Sequence, residues 1–316
     1  MGSLISGMAS SHAFALADPS QWDSGRLRNR EMYARRYGAL PPEQPQVAEE
    51  TDDDLRARYA RIRDSFDFIQ GKLEETRPDA LIIIGDDQNE NFTEDNLPQI
   101  AIFLGDDFLA GGRDRSVEPV PYGSDPGLAE TILFESLDAD IDMASVRRFP
   151  DNVLLAHAIS PILRRVDPEA RIPVVPIFVN AIHVPAPSAR RCYYYGQTIR
   201  RAVEKYAGAG RVAVYASGGL SHFTGGYPYK HYRGPFSYGS ISEEFDRRLL
   251  TQMQAGDGHS TADLTNDEII GNGDIEFRSW ITMLGAIGDV RPERLVYEPF
   301  YRGIMGMAVG YWGLPG

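Results

Sequence analysis

Histidine and carboxylate side chains stand at the ends of predicted elements in this 316-residue chain, where they can move protons or bind a metal. His222 follows a short apolar run, residues 211–216, and two glycines that let the backbone turn sharply or lie close to a ligand. His12 follows a similar run, residues 3–10, and Glu276 stands where a helix is predicted to begin. A histidine can act as an acid or base near neutral pH, although a packed histidine after a strand is an equally ordinary interpretation.

A fourth segment places a polar cluster after a near-continuous apolar run. Residues 80–84 are apolar, and Asp86, Asp87 and Gln88 follow them closely. Parallel sheets bring together strand ends that are distant in sequence, and open α/β sheets bind ligands at the carboxyl ends of their strands. A histidine, a carboxylate and a third polar group that converge in this way can form a facial metal site with open positions.

The elements that must position these side chains are predicted from hydrophobic periodicity. Apolar residues recur at spacings of three and four between residues 55 and 73, which indicates an amphipathic helix with Thr51 at its capped amino end. A strand over residues 81–84 follows, so helix and strand alternate. We therefore predict an α/β fold, a single domain over residues 1–316, with a central, mostly parallel sheet flanked by helices.

Further elements complete this prediction. The remaining strands are predicted at 100–104, beside the strand 81–84, at 174–179, and as a final pair at 295–301 and 304–309. Helices are predicted at 153–166, perturbed by Pro161, and at 188–206, 241–253 and 275–287. Residues 40–51, rich in proline, glutamate and glutamine, predict a surface loop.

Composition and charge exclude several classes of protein. The chain is 42% hydrophobic and 24% charged, as globular proteins are, and its net charge of −13 argues against nucleic acid or an anionic membrane as a partner. The single cysteine, Cys192, excludes an internal disulfide and fits a reducing cytoplasm, where we expect the protein because no leader or membrane span is evident. Neither a phosphate-binding loop, a Gly-x-Ser-x-Gly elbow nor a His-Glu-x-x-His helix occurs.

Aromatic residues are concentrated directly after His222. Within residues 223–238 they are Phe223, Tyr227, Tyr229, Tyr232, Phe236 and Tyr238. Aromatic side chains with polar tips suit the wall of a pocket for a phenolic ring, and a surface loop anchored by partly buried tyrosines is the alternative.

Together these segments resemble the class III extradiol ring-cleavage dioxygenases, the family of the protocatechuate 4,5-dioxygenase β subunit, from about Ser3 to about Ala286. Residues 172–180 and 187–192 also look like the family's strand, loop and following helix. The resemblance implies a non-haem Fe(II) cofactor, the opening of an aromatic ring with dioxygen, and the same α/β architecture.

The resemblance also assigns roles to individual residues. His12 matches the family's first histidine ligand of the iron, and Glu276 matches its glutamate ligand. His222 matches the acid–base histidine, which is not a metal ligand and which would take a proton from the substrate and return it as the ring opens. His157 looks like the further histidine that contacts substrate or oxygen.

One position departs from the family pattern. The second histidine ligand normally follows an aspartate in Asp-His-x-x-x-Phe, and here Gln88 follows Asp87. A glutamine amide offers a neutral carbonyl oxygen, a poorer partner for Fe(II) than imidazole. Three explanations remain open: Gln88 is a weak ligand, Asp86 or Asp87 supplies a carboxylate, or the metal has been lost. The Gly-Asp-Asp-Gln pattern is similar to that of a subgroup typified by 3-O-methylgallate 3,4-dioxygenase, which implies an active enzyme.

The resemblance therefore predicts an Fe(II)-dependent extradiol dioxygenase acting on a catechol-type aromatic, with methoxylated or carboxylated catechols as the first candidates. Arg190, Arg191 or Arg278 can pair with a substrate carboxylate, although an exposed salt bridge is the commoner role of arginine. The alternative is a metal-free paralogue that binds an aromatic ligand or acts as a scaffolding subunit. As partners we expect a small aromatic substrate, dioxygen and a second copy in a homodimer, with room for a small accessory subunit.

Overall fold

The structure is a computed structural model that describes residues 1–12, 18–93, 95–111, 118–150, 153–183, 185–222 and 241–315. The strands in chain order are β1 (Ser3–Ser10), β2 (Ala80–Gly85), β3 (Ile100–Phe103), β4 (Asp107–Ala110), β5 (Val120–Gly123), β6 (Ala144–Val146), β7 (Val174–Val179), β8 (Arg211–Ser217), β9 (Arg294–Phe300) and β10 (Met305–Gly313). The helices are α1 (Trp22–Tyr37), α2 (Gln46–Glu49), α3 (Asp52–Thr76), α4 (Pro126–Asp138), α5 (Ser160–Val166), α6 (Ala189–Lys205), α7 (Glu243–Ala255), α8 (Asn266–Gly271) and α9 (Phe277–Ile287).

Within the described ranges, one sheet of eight strands runs in the order β6-β3-β7-β2-β8-β1-β10-β9. The four central strands β7, β2, β8 and β1 are parallel, while β10 is antiparallel to β1 and β9 is antiparallel to β10. The predicted α/β fold and the final strand pair are confirmed. The predicted place of β3 beside β2 is wrong, because β7 and β8 occupy both edges of β2 and β3 pairs antiparallel with β7 instead.

Helices cover both faces of this sheet. Apolar residues of α3 and α5 pack with one face, and those of α4, α6, α7 and α9 pack with the other. Helices α6 and α9 approach each other at two glycines: a Cβ on Gly196 would lie 2.0 Å from the Thr282 carbonyl oxygen, and one on Gly285 would lie 2.1 Å from the Tyr193 carbonyl oxygen. This close contact fixes the position of α9, which Glu276 directly precedes as the N-cap residue.

Element ends confirm some sequence predictions and correct others. Thr51 caps α3 with a reciprocal hydrogen bond to Asp54, as its position predicted. The predicted helix over 153–166 instead begins at Ser160, because Pro161 lacks an N–H and suits the first turn rather than the interior. The predicted loop over 40–51 contains α2 and a buried Glu50. No helix in the described part of the chain is long and apolar enough to cross a membrane.

The candidate site residues collect at one edge of the sheet because β1, β2 and β8 are adjacent and parallel. Ser10 of β1 is in register with Ser217 of β8, and Ile84 of β2 is in register with Ala216. The residues that follow these three strands therefore emerge side by side. Helix α9 packs against the same three strands and brings its amino end to this edge.

Candidate metal centre

Three buried side chains converge at the carboxyl edge of the sheet: His12 after β1, Asp86 after β2 and Glu276 at the start of α9. Each offers one nitrogen or oxygen atom, and these atoms all lie within 4.8 Å of one another. His12, Asp86 and Glu276 are exposed by only 3%, 0% and 1%, so water does not solvate them. A buried histidine and two buried carboxylates provide the donor types that a divalent transition metal requires.

The neighbours of His12 fix which of its nitrogens can bind a metal. The Ser217 hydroxyl donates its single hydrogen to the Ala158 carbonyl oxygen and lies 3.3 Å from His12 Nδ1. Ser217 can then only accept from that nitrogen, so Nδ1 carries the hydrogen and Nε2 carries the lone pair. Burial lowers the pKa of His12 to about 4, against the opposing effect of Glu276, so the imidazole is neutral near pH 7. Nε2 is buried and has no hydrogen-bond partner among the described residues, which fits a metal ligand.

Glu276 lies close to two histidines and depends on two glycines. Its Oε2 is 3.8 Å from His12 Nε2 and accepts a hydrogen bond of 3.1 Å from the Gly219 N–H. Burial favours the neutral acid, but His222, His12 and the Gly219 N–H together lower the pKa of Glu276 below its ordinary value. Gly218 has φ +134°, and a Cβ there would lie 2.7 Å from the Glu276 Cβ, so this turn requires glycine for both conformation and space.

The three polar residues after β2 have different partners. Gln88 donates through Nε2 to Asp86 Oδ2 at 3.3 Å and to Glu276 Oε1 at 3.1 Å. Asp87 accepts from the backbone N–H groups of residues 90, 91 and 92 and thereby shapes the loop. Asp86 keeps its other oxygen, Oδ1, buried without a hydrogen-bond partner, and burial and the Glu276 charge raise its pKa well above the ordinary range.

His222 lies close to a different carboxylate oxygen of Glu276 from the one beside His12. Its Nδ1 donates to the Leu220 carbonyl oxygen at 2.9 Å, and its Nε2 faces Glu276 Oε1 at 3.4 Å. Burial opposes protonation, but the Glu276 carboxylate and the Leu220 carbonyl outweigh it and raise the pKa of His222 to about 9. A cation bound to Glu276 would offset that attraction and bring the pKa down.

His157 reaches the same site from the segment before α5. Its ring lies edge-on to that of His12, with 5.2 Å between centroids. Glu90 accepts from both the His157 backbone N–H at 3.0 Å and the ring Nδ1 at 2.8 Å. Burial works against protonation, but the hydrogen bond and charge of Glu90 prevail and raise the pKa of His157. The carboxylate therefore fixes the ring and leaves Nε2 for another partner.

The structure thus brings together His12, Gln88, His157, His222 and Glu276, the residues that the sequence predicts for the site. Sequence reasoning did not find Glu90, which orients His157, or Ser217, which orients His12. Both contacts join distant segments of the chain. The position of Glu90 after β2 and that of Ser217 at the end of β8 are the signals that could have indicated them.

Other residues that the sequence predicts for the site lie away from this cluster or outside the described residues. Arg278 is buried and uses its guanidinium for the Pro187 and Ile275 carbonyl oxygens and for Asn266, which leaves it poorly placed for a substrate carboxylate. Arg190 forms an exposed ion pair with Asp263. The predicted aromatic pocket wall over 223–238 lies outside the described residues.

This α/β fold with its buried histidine–carboxylate site corresponds to a known family. Residues 43–308 match the model described as the catalytic LigB subunit of aromatic ring-opening dioxygenase. Because the match covers most of the chain, the protein belongs to this family, and the predicted resemblance to extradiol ring-cleavage dioxygenases is confirmed. The matched range includes every candidate site residue except His12, which precedes it.

Individual relatives carry related names at modest identity. The 2,3-dihydroxyphenylpropionate/2,3-dihydroxicinnamic acid 1,2-dioxygenase of Burkholderia vietnamiensis is 27% identical over 309 residues, covering 84% of this chain and 90% of that protein. The protein of the same name from Paraburkholderia phymatum is 26% identical over 304 residues, covering 84% and 90%. The gallate dioxygenase of Pseudomonas putida is 28% identical over 202 residues, covering 61% of this chain and 55% of that protein. The predicted enzyme class, a ring-cleavage dioxygenase, is confirmed at the level of the family.

Proposed function

We propose that this protein is an Fe(II)-dependent extradiol dioxygenase that opens the ring of a catechol-type aromatic with dioxygen, acting as a single catalytic domain over residues 1–316. One observation carries the proposal: the buried, unpartnered lone pair of His12 Nε2 lies beside the buried carboxylates of Asp86 and Glu276. The 3.8 Å between His12 Nε2 and Glu276 Oε2 is compatible with both atoms binding one ion at about 2.1 Å.

His12 and Glu276 would hold the iron. When bound, Fe(II) supplies the redox chemistry that allows dioxygen to react with an aromatic ring. The protein contributes a neutral imidazole, fixed in the correct tautomer by Ser217, and a carboxylate whose ionised form is held by the Gly219 N–H. The donor set therefore fits the group that the family implies.

His222 would transfer protons without holding the metal. Its Nδ1–H is committed to the Leu220 carbonyl oxygen, so the neutral ring presents the lone pair of Nε2 on the side of Glu276. At that atom it can accept a proton from a catechol hydroxyl and later return it to the opening ring.

His157 would contact the substrate or dioxygen through Nε2. Glu90 holds Nδ1 and the backbone N–H of the same residue, so the imidazole has little freedom to rotate. Its side chain is 42% exposed, in contrast to the nearly buried rings of His12 and His222, and this exposure suits a residue that meets an incoming molecule.

Substrate class follows from the relatives and from the residues together. The relatives are named for 2,3-dihydroxyphenylpropionate, 2,3-dihydroxycinnamic acid and gallate, all aromatics with adjacent hydroxyls and a carboxylate. A methoxylated catechol such as 3-O-methylgallate is a further candidate because of the Gly-Asp-Asp-Gln segment. We propose a cytoplasmic homodimer for the assembly.

The metal-free alternative has less support. A subunit released from catalysis would leave the His12 Nε2 atom and the Asp86 Oδ1 atom buried with no partner, at a cost of roughly 1–3 kcal/mol for each such group. It would also have no evident use for His222 and His157, which surround the same carboxylate cluster.

The test is anaerobic loading of the chelator-treated protein with one equivalent of Fe(II), followed by oxygen-electrode and absorbance assays on the named catechols. We expect oxygen uptake in a one-to-one ratio with a ring-opened product that absorbs at longer wavelength. A protein that binds Fe(II) but consumes no oxygen with any of these catechols contradicts the proposal. Resorcinol and monophenols, which lack adjacent hydroxyls, serve as substrate controls.

A further inference from the structure

The geometry points to Asp86 as the third protein ligand of the metal. Gln88 is then not a ligand but a residue that donates hydrogen bonds to both Asp86 and Glu276 and so connects them. This inference rests on the proposed function only in placing a divalent metal beside His12 and Glu276.

Asp86 has the position of a ligand and a buried carboxylate oxygen that no other group compensates. It directly follows β2, is fully buried and keeps Oδ1 without a hydrogen-bond partner in the described part of the chain. One of its carboxylate oxygens lies within 4.8 Å of donor atoms of His12 and Glu276. A buried carboxylate must be neutralised by a proton or a cation. A proton on Asp86 would leave the His12 Nε2 lone pair unsatisfied, whereas one divalent cation can serve both residues and Glu276.

Gln88 presents the wrong atom for metal binding. Its Nε2 lies 3.3 Å from Asp86 Oδ2 and 3.1 Å from Glu276 Oε1, and both of these atoms are acceptors. An amide nitrogen in this position must donate, because an N–H₂ group has no lone pair available for a metal. The two hydrogen bonds connect the carboxylates through Asp86 Oδ2 and Glu276 Oε1 and leave Asp86 Oδ1 without a hydrogen-bond partner.

Asp87 cannot take the same place, since its carboxylate already accepts from the backbone N–H groups of residues 90, 91 and 92. Of the three polar residues after β2, Asp86 alone has a buried oxygen with no hydrogen-bond partner. Asp87 therefore provides a matched control, because removing its charge alters the same loop without altering the ligands.

The resulting ligand set is one imidazole and two carboxylates. Compared with a set of two imidazoles and one carboxylate, it carries one more negative charge and one more oxygen donor. Oxygen donors suit hard divalent ions such as Mn²⁺, whereas imidazoles suit Zn²⁺ and Cu²⁺ better. We therefore expect the site to take Mn²⁺ readily alongside Fe(II).

The experiment measures binding of Mn²⁺ to the full chain by the electron paramagnetic resonance of the free ion, with no substrate present. Asp86→Asn should weaken binding by roughly a hundredfold or more, and Gln88→Leu by roughly tenfold, the scale expected for removal of a partner that orients a ligand. Asp87→Asn, which keeps an acceptor oxygen for the loop, should remain within about threefold of the unmodified protein. Unchanged affinity in Asp86→Asn, or a larger loss in Gln88→Leu than in Asp86→Asn, overturns the assignment.

Two measurements keep the test decisive if a variant folds poorly. Mn²⁺ at about ten times the dissociation constant of the unmodified protein should raise the melting temperature of that protein and of Asp87→Asn but not that of Asp86→Asn. Pulsed paramagnetic resonance of the unmodified Mn²⁺ protein should show coupling to one imidazole nitrogen, and two coupled imidazoles contradict a one-histidine set. Because no substrate is used, these results stand even if no ring is opened. Conversely, normal ring opening by Asp86→Asn overturns this inference and leaves the proposed function intact.

Discussion

Two buried pairs of carboxyl groups lie on adjacent segments of this molecule and differ in how their charge is compensated. Asp86 and Glu276 share their site with His12, whose Nε2 has no hydrogen-bond partner. Asp246 accepts hydrogen bonds from hydroxyl groups, Asp274 lies beside it with no hydrogen-bond partner for either carboxyl oxygen among the described residues, and burial raises the pKa of both. Both pairs are almost completely inaccessible to water.

Hydrogen-bond donors distinguish the two pairs. Asp246 accepts from the Ser221 N–H at 3.0 Å, the Ser221 hydroxyl at 2.8 Å and the Tyr297 hydroxyl at 2.5 Å. Asp274 lies beside Asp246, and a shared acid proton can reduce the charge of that pair to −1 without a metal. The Asp86–Glu276 pair instead lies beside the lone pair of His12 Nε2, which has no polar atom of the described residues within hydrogen-bonding distance, so a proton on either carboxyl group would not satisfy it. Burial of two acids does not by itself make a metal site; an unpartnered neutral donor beside them does.

The largest expected effect separates the two pairs directly. Glu276→Ala should abolish binding of Fe(II) and oxygen uptake, because it removes a ligand, a loss beyond the ten- to hundredfold typical of groups that only orient ligands. Asp274→Asn, two residues away and equally buried, should retain the metal. Iron content after anaerobic dialysis checks both variants. Full iron occupancy in Glu276→Ala would refute its assignment as a ligand.

His222 stands between the two pairs, since it follows Ser221 of one and faces Glu276 of the other. His222→Phe should retain iron and slow turnover by roughly a hundredfold or more, the usual scale of lost acid–base catalysis. Single-turnover rates and iron content measured on the same preparation test this division of roles. If the iron is lost together with the activity, His222 is a ligand.

Glu90 offers a smaller and more specific effect, because it orients His157 and touches no proposed ligand. Glu90→Gln keeps an acceptor oxygen but removes the charge, and we expect kcat to fall roughly tenfold, about 1.4 kcal/mol, with metal content unchanged. The Glu90 charge raises the pKa of His157, so any limb of the pH–rate profile due to His157 should move to lower pH in the variant.

Glu130→Gln, which changes an exposed ion pair with Arg147, provides the matched control for that measurement. It should leave both kcat and the pH profile unaltered. Loss of metal in Glu90→Gln would instead assign Glu90 a structural role in the loop after β2.

The elements that carry the site could be predicted from the sequence because their signals are local. The apolar runs of β1, β2 and β8 and the amphipathic pattern of α3 each lie within one segment, and the glycines before His222 mark a turn. The resemblance of these segments to a known family then predicted which strand ends meet. The position of β3 could not be predicted in this way, because strand order depends on which edges of β2 remain free.

The hydrogen-bond partners of the site residues could not be predicted from the sequence either, because they too depend on contacts between distant segments. Gln88 could be singled out from its segment, but the choice between Gln88, Asp86 and Asp87 depends on which atoms lie near Glu276, 188 residues from Gln88. Likewise, Glu90 and Ser217 orient histidines that are 67 and 205 residues away. Contacts of this separation are set by the order of strands in the folded sheet, and they produce no periodic pattern in the sequence.

The last expected effect is on stability rather than on activity, and it concerns the pair that needs no metal. Burial raises the pKa of Asp246 to about 6, against about 3.9 in an unfolded chain. The folded state therefore retains a proton that the unfolded state releases between about pH 4 and pH 6, and this residue's contribution makes stability fall as pH rises through that window and level off above it. Asp246→Asn removes the titrating group.

The free energy of unfolding of Asp246→Asn minus that of the unmodified protein should therefore increase by about 1–3 kcal/mol from pH 4 to pH 6. Urea unfolding of both metal-free proteins at half-unit pH intervals measures this difference, whatever constant offset the altered contacts with Ser221 and Tyr297 introduce. Parallel stability curves across that window would mean that Asp246 is ionised in the fold. Asp246 would then carry a charge that the hydroxyls of Ser221 and Tyr297 stabilise. The presence of His12 would then be the only difference that distinguishes the Asp86–Glu276 pair from the Asp246–Asp274 pair.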